Sequence, residues 1–189
     1  MGCRDTTIKI FDPKKPLKPT AVLRGHTDWI NNLKVFEDFV VSASCDKKIK
    51  VWSLEKKECV ATLEGHSGAV HNLLLDPQND SKKPRLLSCS SDMSINIWDL
   101  DSSRLSSSLF DHSDEVLFID HFFFSNYLAS ASKDGFLKLW NIHSQKTPFF
   151  TIRAHTKQIT SLTTISNKIL TTGMDSKINL FEFPLSYRN

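Results

Sequence analysis

The chain is short of the residues that mark several functional classes. Its four cysteines, Cys3, Cys45, Cys59 and Cys89, form no C-x-x-C pair, which removes the usual paired-thiolate zinc patterns and offers no disulfide framework. No apolar run reaches membrane-spanning length and no signal-peptide pattern is recognisable, so the expected setting is reduced and intracellular, cytoplasmic or nuclear. Charge of one sign is scarce as well: 24 Lys plus Arg against 21 Asp plus Glu leave a net charge of +3. That is too small a bias to argue for nucleic acid. Helical periodicity is missing throughout. The remainder, 40% apolar and 24% charged in 189 residues, is ordinary for a globular protein and allows one domain or several small units sharing a core.

What the chain does have is internal repetition. Five segments align: "GCRDTTIKIFD" from Gly2, "SASCDKKIKVWSL" from Ser42, "SCSSDMSINIWDL" from Ser88, "SASKDGFLKLWNI" from Ser130 and "TTGMDSKINLFEF" from Thr171. Each places an Asp six residues before an aromatic: Asp5 and Phe11, Asp46 and Trp52, Asp92 and Trp98, Asp134 and Trp140, Asp175 and Phe181. The Asp positions are 41, 46, 42 and 41 residues apart. A second marker precedes the last four: Gly25-His26, Gly65-His66, Asp111-His112 and Ala154-His155. Between markers, short apolar or alternating runs such as "INNLKVF", "FVVSAS" and "CVATL" are bounded by turn-prone residues, a strand pattern. The polar stretch from Asp76 to Arg85 lengthens one repeat and reads as a surface loop.

A period of roughly 40 to 45 residues with this His and Trp pattern resembles the WD-repeat family of β-propellers. The likeness covers essentially all of residues 1–189, with repeats at about 1–19 (partial), 20–58, 59–103, 104–146 and 147–189. It implies an all-β fold in which each repeat supplies the outer strand of one blade and the three inner strands of the next. Four to five blades are then expected, three of them complete, the first with only its last two strands and the last without its outer one. Such rings usually hold about seven blades. The expectation is therefore a fragment of a larger ring, with ring closure by self-association, or a small or open assembly, as the alternatives if the chain is whole.

The resemblance also implies a buried hydrogen-bonded tetrad of Trp, Ser or Thr, His and Asp in each blade. The matching sets are Trp52, Ser42, His26 and Asp46; Trp98, Ser88, His66 and Asp92; and Trp140, Ser130, His112 and Asp134. A fourth, Thr171, His155 and Asp175, ends in Phe181, which has no N–H to give. Indole N–H only donates, hydroxyl and neutral imidazole do both, and carboxylate only accepts, so a chain in that order satisfies every member. Ser, His and Asp are also the parts of a hydrolase triad. A set that recurs in four blades is structural, because catalysis needs its site once. The expectations are no enzyme activity, no cofactor and no metal site, since no ligand spacing repeats among the seven histidines and four cysteines.

Binding is expected on the top face, which the resemblance places at the loop entering each innermost strand, the start of that strand and the turn before the Asp. Those positions are Arg4; Trp29, Asn31 and Cys45; Ala69, His71 and Ser91; Glu115, Leu117 and Lys133; Gln158, Thr160 and Met174. Trp29 reads either as a binding anchor or as a side chain packed over its own blade edge. One Arg and one Lys do not make a phosphate-binding cluster. The amino terminus fits an N-myristoylation pattern at Gly2, but the same residues align as the end of a repeat, so no membrane role is expected. The expected function is a non-catalytic scaffold for proteins or peptides in a multiprotein complex. Alternatives are the substrate-recognition part of a ubiquitin ligase and a subunit of an RNA-processing or chromatin complex.

Overall fold

The computed structural model describes residues 5–15, 17–76, 84–122, 127–142 and 146–183. Every regular element among them is a β-strand, and the strands form five antiparallel sheets in chain order. The first sheet has two strands, β1 (Ile8–Phe11) and β2 (Pro19–Leu23). Three four-stranded sheets follow. They are β3 (Ile30–Phe36), β4 (Phe39–Ser44), β5 (Ile49–Ser53) and β6 (Glu58–Leu63); then β7 (Val70–Asp76), β8 (Arg85–Ser90), β9 (Ser94–Asp99) and β10 (Arg104–Phe110); then β11 (Val116–Phe122), β12 (Tyr127–Ser132), β13 (Phe136–Trp140) and β14 (Phe150–Arg153). The last has three strands, β15 (Ile159–Ile165), β16 (Lys168–Gly173) and β17 (Ile178–Glu182). This is the strand distribution that the repeat register implies.

Strand alternation gives each sheet two apolar faces, and the faces close on one another in series. Trp52 shares a core with Ile8 and Leu23 of the preceding sheet. Trp98 does so with Val41, Ile49 and Val51, and Trp140 with Leu87, Ile95 and Ile97. In the last sheet Ile159, Ile169 and Phe181 pack with Ala129, Leu137 and Leu139. Trp52, Trp98, Trp140 and Phe181 are thus each the wedge between their own sheet and the one before it. The three Trp side chains are essentially fully buried, and an indole in such a place removes more apolar surface from water than any other side chain.

The turn after each repeat Asp requires a left-handed residue, with φ of 71° at Lys47, 67° at Met93, 81° at Gly135 and 62° at Ser176. Glycine adopts this without strain, and the others hold it because the Asp carboxylate accepts N–H groups on either side of the turn. Asp46 Oδ1, for example, takes the Lys48 N–H at 3.0 Å while its Oδ2 takes that of Thr27 at 3.1 Å.

One sequence expectation changes here. Asp76 and Arg85, read as the ends of a loop, are strand residues that pair in register. The Arg85 guanidinium lies 2.6 Å from the fully buried Asp76 carboxylate, so the strands run to the base of the insertion because an ion pair closes it. The interior, 77–83, lies outside the described residues.

Candidate interaction face

Three complete polar chains hold the blades. Trp52 Nε1 donates to Ser42 Oγ at 2.8 Å, that hydroxyl meets His26 Nε2 at 2.7 Å, and His26 Nδ1 meets Asp46 Oδ2 at 2.6 Å. Trp98, Ser88, His66 and Asp92 repeat it at 2.8, 2.7 and 2.8 Å, and Trp140, Ser130, His112 and Asp134 at 2.8, 2.8 and 2.9 Å. In the last sheet His155 bridges Thr171 at 2.9 Å and Asp175 at 2.8 Å, with Phe181 in the indole position. Gly173 stands there where the other blades have Ser44, Ser90 and Ser132, and a Cβ on it would lie 2.4 Å from His155 Nδ1.

The electrostatics follow from burial and partner. Burial pushes the His26 imidazole down, against the raising effect of Asp46. Burial alone would raise the Asp134 carboxyl. His112 and the N–H groups of Phe136 and Ser113 outweigh it and hold the group at about 2. Asp46 and Asp92 are lowered in the same way. An imidazole held between a hydroxyl and a carboxylate, with the hydroxyl also receiving an indole N–H, has both ring nitrogens engaged and neither left to meet a substrate.

Above these chains the last four sheets each build the same small platform. The carbonyl of the entry-loop residue accepts the N–H of the turn residue: Trp29 from Cys45 at 2.8 Å, Ala69 from Ser91 at 2.9 Å, Glu115 from Lys133 at 3.0 Å and Gln158 from Met174 at 2.9 Å. Between them the innermost strand carries a β-bulge. The pairing skips from Ile30 to Asn32, Val70 to Asn72, Val116 to Phe118 and Ile159 to Ser161. The residues left out of register are Asn31, His71, Leu117 and Thr160. A bulge re-aims a side chain out of the pleat, and here it does so at the same place four times. Arg4 and Gly2 lie outside the described residues.

The platforms are joined across blades. Asn31 Nδ2 donates to the Val70 carbonyl at 2.8 Å and to Cys45 Sγ at 3.2 Å. Glu115 Oε2 accepts from Ser91 Oγ at 2.7 Å and lies 3.1 Å from His71 Nε2, which is itself 2.7 Å from Ser91 Oγ. Lys133 Nζ donates to Glu115 Oε1 at 2.5 Å. Burial would raise the Glu115 carboxyl, but Lys133, Ser91 and His71 hold it at about 2. The cation is thereby matched to an anion of the same blade, and the surface between the blades is polar but nearly neutral. Trp29, whose carbonyl belongs to the first of these platforms, is 48% exposed, and its backbone N–H donates to Asp28 Oδ1 at 2.7 Å. Met93 and Met174 are the other large apolar side chains exposed at these turns. Met93 escaped the sequence reading, although an apolar residue directly after the repeat Asp, where Lys47, Gly135 and Ser176 stand, was a visible signal.

The family descriptions that match the chain are a TEP-1 C-terminal beta-propeller over residues 26–84 and a WD domain, G-beta repeat, over residues 103–141. The chain belongs to the WD-repeat family of β-propellers. Among its relatives, the probable E3 ubiquitin ligase complex SCF subunit sconB of Arthroderma otae is 30% identical over 154 residues, 67% of this chain and 22% of the relative. The protein of that name in Talaromyces stipitatus is 41% identical over 63 residues, 32% of this chain and 9% of the relative. The DENN domain and WD repeat-containing protein SCD1 of Arabidopsis thaliana is 35% identical over 74 residues, 39% of this chain and 6% of the relative. This WD-repeat chain therefore spans about a fifth or less of the length of these relatives. Among the described residues no helix is long and apolar enough to cross a membrane, and no group of three or more His, Cys, Asp and Glu is placed to hold a metal ion.

Proposed function

We propose that residues 1–189 act as one non-catalytic WD-repeat unit that binds a protein or peptide on its top face, with Trp29 as the apolar anchor and Asn31, His71, Glu115, Leu117 and Lys133 as its surroundings. The observation that carries this reading is the repeated bulge. Four innermost strands give up a ladder pairing at the same position to present Asn31, His71, Leu117 and Thr160 beside the blade tops. An exposed Trp next to fixed polar groups is the composition of a binding hot spot, where one aromatic contributes most of the energy and its neighbours set orientation. The neutralised Glu115–Lys133 pair favours an uncharged or mixed segment over a phosphorylated one.

A test is affinity purification from the native cell with wild-type chain, Trp29→Ala and His71→Ala. The expected result is a partner retained by wild type and lost or reduced at least tenfold with Trp29→Ala at unchanged stability. Equal recovery by all three proteins would overturn the assignment.

Substrate recognition for a ubiquitin ligase is the second reading. It is supported by the relatives named as ligase-complex subunits, of whose length the chain matches at most 22%. Ubiquitin transfer to the recovered partner, dependent on this chain, is the measurement that would favour it.

A further inference from the structure

The junction between the second and third sheets is unfilled at the end of the strands opposite Trp29. Both sheets have all four of their strands, and between them lies a groove of about 340 Å³. Phe36 and Phe39 line it, opposite one another in the β3–β4 pairing with ring centroids 5.4 Å apart and planes inclined by 23°. Val60 and Ala61 of β6 and Leu100, just after β9, complete the apolar lining. The pairing of β6 with β5 skips from Cys59 to Ala61, so Val60 is left out of the ladder and stands 44% exposed.

The repeat register says what is missing. In the fourth sheet the residues matching Phe36 and Phe39 are Phe122 and Tyr127, again opposite one another. Those matching Val60 and Ala61 are Phe149 and Phe150, and the residue matching Leu100 is Phe183, just after β17. There Phe183 meets the Phe122 ring edge-to-face at 5.0 Å and the Phe150 ring at 5.3 Å, while Phe149 lies 5.1 Å from Tyr127. Phe122 is buried by this cluster, whereas Phe36 and Phe39 are only half-buried. Between the third and fourth sheets the matching pair is Asp76 and Arg85, closed by its own ion pair. The second junction has neither device, because Val, Ala and Leu stand where three rings stand in the fourth.

We infer that this groove takes an aromatic side chain of a partner peptide, the ring occupying the place that Phe150 and Phe183 hold in the matching junction. A cavity of about 150 Å³ accommodates benzene, so there is room for a ring and the carbons that link it to a backbone. Aromatic rings favour the edge-to-face approach that Phe122 and Phe183 already show. Glu55 and Lys56, exposed on the β5–β6 turn, line the same groove, and neither is ion-paired among the described residues. An anion beside a cation is complementary to a segment that carries one charge of each sign next to its aromatic residue. This surface is separate from the Trp29 face and does not depend on it.

Nuclear magnetic resonance titration of the isotope-labelled chain with the capped peptide Gly-Ser-Glu-Phe-Lys-Ser-Gly tests this. Amide shifts are expected at Phe36, Phe39, Val60 and Ser103, and none with the same peptide carrying Ala in place of Phe. Ala61→Phe, which supplies from within the ring that Phe150 supplies in the fourth sheet, is expected to weaken binding at least tenfold. Should that variant misfold, Val60→Glu, at an exposed position, is expected to do the same. No shifts in the groove, shifts at residues 28–32 instead, or undiminished binding by a folded variant would each overturn the proposal. So would equal affinity for free indole, which makes the occupant a small aromatic molecule, or the same shifts on concentrating the chain alone, which makes it a second copy.

Discussion

Trp140 donates its indole N–H to Ser130 Oγ at 2.8 Å, and the same oxygen lies 2.8 Å from His112 Nε2, so one hydroxyl satisfies two buried nitrogens. Removing it orphans both. Each unsatisfied buried group costs about 1–3 kcal/mol, so Ser130→Ala is expected to lose roughly 2–5 kcal/mol in urea unfolding, while Ser130→Thr, which keeps the hydroxyl, loses far less. A drop no greater than that of Ser102→Ala, on the exposed turn between β9 and β10, would contradict the role given to the tetrads.

The converse experiment lies in the last sheet. Thr171 Oγ1 meets His155 but has no indole to receive, and Phe181 is only half-buried among the neighbouring apolar side chains. Phe181→Trp is expected to restore the missing donor and raise stability by about 1 kcal/mol, the usual net value of one hydrogen bond. Amide exchange in β16 and β17 should slow with it. A variant of lower stability would show that the site lacks room for the larger ring.

Acid should unfold the protein in two stages, and the sign follows from which state holds the proton. His26 is pushed below its ordinary value by burial, so below pH ~6.5 the unfolded chain binds protons the folded one refuses, and stability begins to fall. The tetrad carboxylates are held low, Asp134 at about 2. Their contribution is full above pH ~4, the unfolded value, and is lost as pH drops toward 2. Urea midpoints across pH 8 to 2 are expected to decline gently first and steeply below 4. A profile flat from 7 to 4 would contradict the His26 argument, and one flat below 4 the carboxylate argument.

Gly135 holds φ of 81°, and a Cβ there would lie 2.4 Å from the His155 carbonyl oxygen. Gly135→Ala therefore combines a strained backbone with a backbone collision, and thermal unfolding is expected to show a loss of about 2 kcal/mol or more. Ser176→Gly, at the matching turn of the last sheet, relieves left-handed strain and is expected to be neutral or slightly stabilising. Equal behaviour of the two substitutions would exclude this account of the turn.

The strand order, the five sheets and the membership of each tetrad were legible because Asp and aromatic stand six residues apart five times. Local spacing fixes which residues share a blade. What joins one blade to the next was not legible. His71 and Glu115 are 44 residues apart and meet only after two sheets have packed. The bulges at Asn31 and His71 leave no mark on an alternating pattern, since they change the register by one residue at a strand's start. The buried Asp76–Arg85 pair looked like loop polarity, because Lys, Asn and Pro surround both residues.

The most direct test of the proposed interaction face is hydrogen–deuterium exchange on the chain alone and bound to its recovered partner. Protection is expected at residues 28–32, 45–47, 69–72 and 91–93, where Trp29, the first two bulges and their turns lie. Protection confined to the opposite ends of the strands, around Phe36 and Phe39, with residues 28–32 unchanged, would contradict it.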